Sequence, residues 1–400
     1  MTTLATLALL IWLYLLLSHG RFWQSAPELA PATPVNAVPV TVVVPARDEA
    51  PVIAETLGSL LQQDYAGPLR IILVDDGSSD GTGAIARQTL SRGAGEGREG
   101  VRESPPPQPS PAPRERERDV RQLDVLAGQA RPPGWSGKLW AIAQGLAQAD
   151  ASEFVLLTDA DIVHDPRHVA TLVAQAERLD VDLLSEMVAL ACETSTERML
   201  VPAFVYFFQL LYPFARVNDP MRATAAAAGG TILIRRRALR RIGGIAAVRD
   251  ALIDDVALAA AVKPGGRIWL AHSGLARSIR TYPSIADIWR MVSRTAYVQL
   301  GYSPVLLVVT VLGMAVSFLL PPVAAVFGHG VARWFGWLTW GGLAASYRPT
   351  LRRYHRSLLW APFLPLVAAF YTAATIGSAV NHYQGRGVAW KGRAYQGLGA

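Results

Sequence analysis

The chain has 400 residues, of which 51% are hydrophobic and only 17% charged, with a formal net charge of +7. Soluble domains carry about a quarter charged residues, so the deficit points to long apolar segments. The single cysteine, Cys192, excludes an internal disulfide and a zinc site built on paired cysteines. Many basic residues flank apolar segments, where they would meet anionic lipid heads. They form no single stripe interleaved with aromatics, so the partner is a membrane surface and not nucleic acid.

Residues 3–18 are almost wholly apolar, with no Lys or Arg before them and Arg21 after. The run is slightly shorter than the ~20 residues of a spanning helix. Its flanks favour an N-terminal transmembrane anchor over residues 1–20, rather than a cleaved signal peptide, with its C-terminal end in the cytoplasm. Residues 21–39 are Pro/Ala-rich towards their end and read as a linker. A short β-branched run at 40–44 predicts a buried parallel strand, and 49–63 has helical spacing. A second strand is expected at 70–74, running into Asp75-Asp76-Gly77, then a helix at 82–90, and a third strand at 153–158 that ends in Asp159. This alternation predicts an α/β fold with a mostly parallel, doubly wound sheet, which binds ligands at the carboxyl ends of its strands. Residues 91–119, rich in Gly, Pro, Arg and Glu, read as a disordered surface insertion.

The apolar, aromatic stretch 198–214 suits a buried or interfacial helix. Residues 281–303 mix Trp289, Tyr297 and Leu300 with Arg290 and Arg294, as in an amphipathic helix lying on a membrane. Residues 304–380 hold strong apolar runs at 305–327 and 358–379 and a weaker one at 331–345, followed by a basic tail at 381–400. Both Arg348, Arg352, Arg353, Arg356 and Arg386, Lys391, Arg393 should lie in the cytoplasm. Three simple crossings cannot satisfy both groups, so one segment is expected to re-enter around Pro321-Pro322 or to lie in the interface. The expected location is the inner (cell) membrane, multi-pass, with the α/β domain facing the cytoplasm.

Four constellations carry possible chemistry. Pro45-Ala46-Arg47-Asp48-Glu49 and Asp75-Asp76-Gly77-Ser78 follow strands one and two; a carboxylate there can accept from a base N–H or ribose hydroxyls, while plain turns and helix caps use the same residues. Thr158-Asp159-Ala160-Asp161 clusters two carboxylates after a strand, an arrangement that calls for a hard cation, Mg2+ or Mn2+, bridging to phosphates. Lys138 opens a helix after Gly134-Trp135-Ser136-Gly137 and could meet a diphosphate, without a P-loop pattern. Asp254-Asp255 starts another helix and could supply a base for a hydroxyl. Upstream, Gly229-Gly230 permits close backbone approach to an acceptor or sugar.

In this order the motifs V-P-A-R-D-E, V-D-D-G-S-S-D-G-T, G-K, D-A-D and D-D-x-x-L resemble the family 2 glycosyltransferases of the GT-A fold over residues 40–302. Residues 132–141 and 294–303 look most like the hopanoid-biosynthesis-associated glycosyltransferases of the HpnB type, with ceramide glucosyltransferase-like enzymes as wider kin. The resemblance implies a Rossmann-like GT-A domain at 40–280 between N-terminal and C-terminal transmembrane helices. It implies inverting, metal-dependent transfer of a hexosyl group from a nucleotide diphosphate sugar, a UDP-sugar, to a membrane lipid acceptor, a hopanoid or related polyterpenoid alcohol.

By the same resemblance, Asp76 and Glu49 sit at the nucleoside. Pro45, Ala46, Arg47, Ser78, Lys138, Asp159 and Arg294 serve the donor, and Asp161 with Asp159 holds the metal. Asp255 is the general base and Asp254 stands at the usual Glu position. Gly229 and Gly230 face the acceptor. Where the family carries Q-x-x-R-W, this chain has Met291-Val292-Ser293-Arg294-Thr295; only the arginine is kept, which disfavours processive synthesis. The alternatives are a polyprenyl-phosphate sugar synthase, a non-catalytic membrane lipid-binding scaffold on a transferase fold, and a soluble nucleotidyltransferase, which the membrane segments disfavour.

Overall fold

The computed structural model describes residues 1–95, 121–149, 152–386, 389–390 and 393–394. The helix expected at 82–90 continues to Gly95, and the rest of the insertion expected at 91–119 lies outside the described residues. The same holds for most of the tail expected at 381–400, of which residues 389–390 and 393–394 pair antiparallel.

Among the described residues nine strands form the sheet: β1 (Glu28–Leu29), β2 (Val40–Ala46), β3 (Leu69–Asp75), β4 (Arg121–Ala127), β5 (Phe154–Thr158), β6 (Ile162–His164), β7 (Leu183–Ala189), β8 (Thr231–Arg235) and β9 (Ile268–Ser278). Their order is β1-β9-β7-β8-β5-β2-β3-β4, with β6 on β9. The pairings β2 with β3, β3 with β4, β2 with β5, β7 with β9 and β1 with β9 are parallel, whereas β8 runs antiparallel between β5 and β7. The sheet is thus mostly parallel, as expected. The β2 run shows no polar alternation because both faces are covered. Val42 and Val44 pack with Ile53, Leu57 and Leu60 of helix Ile53–Leu61, and Val43 packs with Leu139 and Ile142 of helix Gly137–Ala147. After β2 the chain adds β3 and β4 on one side and then β5 on the other, so the order reverses between β2 and β5. A crevice opens at the carboxyl ends of strands at such a reversal.

Glu28–Leu29, in the stretch expected as a linker, joins the sheet beside His272 and Ser273. Helix Thr2–Leu17 has 16 residues; its Ala5, Ala8 and Trp12 are buried, and it lies against helix Val331–Arg353. Pro321 has no N–H to give to the carbonyl of Ser317, four residues earlier, and the helix passes through a π-turn at Ala315–Leu319. The Trp12 indole N–H fills that gap, donating to Ser317 O at 2.7 Å. Two helices, Pro304–Phe327 and Leu358–Tyr383, with 24 and 26 residues, are long and apolar enough to cross a membrane.

Helix Ser195–Leu211 ties the sheet domain to these helices. It starts at a capping box between Thr194 and Glu197. Tyr206 shares a 2.7 Å hydrogen bond with Ser346, and Tyr371 donates to Leu200 O at 2.9 Å. Helix Ile285–Gln299 lays its buried stripe on Leu358–Tyr383, with the Trp289 ring where a Cβ on Gly377 would come within 2.6 Å. Close packing there requires glycine.

Candidate active site

The site is built from the loops that leave the carboxyl ends of β2, β3 and β5. Asp76 N donates to Ala46 O at 2.9 Å, which brings the first two loops together. Arg47 donates to the Asp76 carbonyl and lies 3.7 Å from its carboxylate, which is buried. Ser78 Oγ accepts from Asp48 N at 3.0 Å, Asp48 Oδ1 accepts from Ser79 N at 2.8 Å, and Thr82 Oγ1 accepts from Glu49 N at 2.8 Å. Asp48 takes φ 49°, a left-handed conformation that Asp tolerates better than most residues. The motif residues therefore lock two loops into one polar shelf rather than forming isolated turns.

Beside this shelf a cavity of about 1450 Å³ receives Pro45, Glu49, Lys138, Asp159, Asp161, Gly229, Gly230, Asp254, Asp255 and Arg294 from the sequence-predicted set. Ala46, Arg47, Asp76 and Ser78 are outside its lining, on the adjacent shelf. Lys138 sits in the first turn of helix Gly137–Ala147, whose Ser136 caps Leu139 N at 3.2 Å. Its ammonium lies 2.9 Å from Asp159 Oδ1 and 3.1 Å from Asp254 Oδ2. Burial alone would lower the Lys138 pKa, but Asp159 and Asp254 outweigh it and raise it, so the ammonium stays charged. Asp159 is raised by burial and by Asp161, against the pull of Lys138. Asp255 is pushed up to about 7, first by burial and then by the neighbouring Asp254. A Cβ on Gly229 would stand 3.1 Å from Asp255 Oδ2, so the glycine leaves room for that carboxylate.

Asp161 has partners that sequence spacing did not reveal. Its Oδ2 accepts from Ser278 Oγ at 2.8 Å and Arg280 Nε at 3.1 Å, and Arg280 Nη2 reaches Glu49 Oε1 at 2.6 Å. Ser278 is set there by the β6–β9 ladder, in which it pairs with Ile162. Among the described residues no three His, Cys, Asp or Glu side chains group to hold a metal unaided. Asp161 and Asp159 nevertheless border the same cavity. Two carboxylate oxygens completed by phosphate oxygens and water suit Mg2+ or Mn2+, so the residues fit the metal expected from the sequence. Behind the loop, Glu186, His168, His164 and Thr158 form a buried chain that the sequence also left hidden; Thr158 Oγ1 donates to Gly230 O at 2.9 Å.

The cavity does not end at the polar groups. It continues along Phe204, Phe207 and Phe208 and between helices Ile285–Gln299 and Leu364–Tyr383, past Met291, Val292, Tyr371 and Thr375. Arg294, exposed, stands on that side of it.

A doubly wound sheet in which β8 and β6 run against the other strands, acidic loops at its switch point and a lysine-held carboxylate cluster define a glycosyltransferase of the GT-A type. The model of glycosyl transferase family 21 matches residues 121–397 and that of glycosyl transferase family 2 matches residues 41–102. The chain belongs to glycosyl transferase family 21. An N-acetylglucosaminyltransferase of Rhizobium leguminosarum bv. viciae is 40% identical over 100 residues, 22% of this chain and 24% of that protein. One of Bradyrhizobium elkanii is 52% identical over 42 residues, 10% of this chain and 23% of that protein. The matches thus span about a quarter of the length of these relatives. The mannosyltransferase PcManGT of Pyrobaculum calidifontis, solved with GDP-Man and Mn2+, has a TM-score of 0.54 at 20% identity, over 96% of this chain and 99% of that one, which shows a shared fold.

Proposed function

We propose that this chain transfers a hexosyl group, with inversion, from a UDP-sugar to a hydroxyl of a membrane lipid, a hopanoid or related polyterpenoid alcohol. The observation that supports this reading is the single cavity that joins the carboxylate cluster to the space between apolar helices. A charged donor and an apolar acceptor would otherwise need separate compartments. On this reading the protein sits in the inner membrane with the sheet domain towards the cytoplasm.

In this reading Asp76 and Glu49 hold the nucleoside beside Pro45, Ala46, Arg47 and Ser78. Asp159 and Asp161 bind Mg2+ or Mn2+, which when bound neutralises the leaving diphosphate. Lys138, charged and fixed at a helix N-terminus, adds a second positive group, and Arg294 a third from the helix side. Asp255, with its raised pKa, takes the proton of the acceptor hydroxyl, which attacks the anomeric carbon in line; Gly229 and Gly230 let the acceptor approach. The purified protein in detergent, given labelled nucleotide sugars, a divalent metal and total membrane lipids, should yield a labelled product that partitions into organic solvent. Label that appears only as free sugar or stays on the nucleotide would refute the lipid acceptor.

A further inference from the structure

The Arg280 guanidinium occupies the place where a cation and a diphosphate would be expected to meet. It holds Asp161 through Nε at 3.1 Å and Glu49 through Nη2 at 2.6 Å. The sheet dictates this contact: Ser278 pairs with Ile162, Ile279 N donates to Asp161 O at 2.9 Å, and Arg280 follows directly. Its side chain remains 34% exposed, on the cavity side, so it has space to turn away. Two carboxylates facing one cavity repel unless a cation lies between them, and here the chain supplies that cation itself. A divalent ion on the neighbouring Asp161 Oδ1 would stand a few ångströms from the guanidinium. Like charges at such short range repel strongly in a partly buried site.

We infer that Arg280 is a resident counter-cation that competes with the divalent metal for Asp161 and leaves it for the donor's diphosphate, so that metal binding depends on the donor. A guanidinium suits both stations, because its planar fork fits carboxylate and phosphate oxygens alike. Arg280 thus keeps the site from trapping a metal without donor and then adds positive charge to the leaving group. The inference rests on the proposed metal role of Asp159 and Asp161.

The test is Mn2+ binding to the full chain in detergent, read by electron paramagnetic resonance with and without UDP, for the native protein, Arg280→Gln, Arg280→Lys and Asp161→Asn. Without UDP, Arg280→Gln should bind Mn2+ at least about fivefold more tightly than the native protein. Arg280→Lys, which keeps the charge but loses the fork, should fall between them. With UDP present, the advantage of Arg280→Gln should vanish or reverse, because the guanidinium now assists. Thermal melting in detergent checks that each variant is folded. Equal Mn2+ affinity of native protein and Arg280→Gln without UDP, while Asp161→Asn abolishes binding, overturns the role of Arg280 alone. Native-like Mn2+ binding by Asp161→Asn overturns the metal site itself.

Discussion

Replacing Asp255 by Asn tests the proposed chemistry most sharply, because burial and Asp254 make two effects separable. With a pKa of about 7, Asp255 is about a tenth ionised at pH 6 and about nine-tenths at pH 8. A base must be ionised to accept a proton, so transfer should rise with pH, about tenfold per unit below 7, and level off above. The Asn variant should lose about 10²- to 10⁴-fold in kcat at pH 8 and lose that acidic limb. Stability moves the other way. A folded-state pKa above the unfolded one gives stability that is complete below the ordinary carboxylate range and lost as pH rises through about 7. At pH 8 the half-buried Asp255 charge therefore weighs against the fold, and the Asn variant should melt at the same temperature as the native protein or higher. The assay is transfer of labelled sugar from pH 5.5 to 9, with melting curves at pH 8 alongside. A variant that keeps more than a tenth of native kcat, or keeps the limb near pH 7, would remove Asp255 from the role of base.

Gly229→Ala places a methyl 3.1 Å from Asp255 Oδ2; it should lower kcat by about tenfold through misplacement of that carboxylate while the donor KM changes little, as steady-state kinetics would show. Lys138→Met leaves Asp159, Asp254 and Asp255 without their shared cation; the loss should be about 1–3 kcal/mol, below a fully buried pair because Asp159 stays 35% exposed, with weaker UDP binding by calorimetry. Trp12→Phe removes the donor to Ser317 O and should cost about 1–2 kcal/mol, seen as a lower melting temperature in detergent with kcat unchanged.

Much of this architecture was legible because local chemistry announced it. The β-branched run at Val40–Val44 and the strand ending in Asp159 gave a parallel sheet, and acidic turns at strand ends marked the switch point. The reversed strand β8 was not foreseen, because a short apolar run looks the same in either direction. Arg280 escaped for a related reason: it meets Asp161 across 119 positions of chain through the β6–β9 register, which no local pattern encodes. Trp12 of the N-terminal run Thr2–Leu17 escaped too, because its indole N–H meets Ser317 O of a helix 305 positions away, a contact that hydropathy does not encode. Asp76 is expected at the nucleoside, and the strand order decides where it stands. It stands on the adjoining shelf beside Arg47, one strand further out, since β3 lies beyond β2.

The central claim is that donor and lipid meet in one cavity. An experimental structure of the protein with UDP, Mn2+ and a bound lipid acceptor tests it most directly. The account predicts the diphosphate between Lys138 and Asp161, the lipid chain between helices Ile285–Gln299 and Leu364–Tyr383, and its hydroxyl within hydrogen-bond reach of Asp255. A diphosphate bound away from Asp161, or a lipid on the outer face of the helices with no path to Asp255, would contradict it.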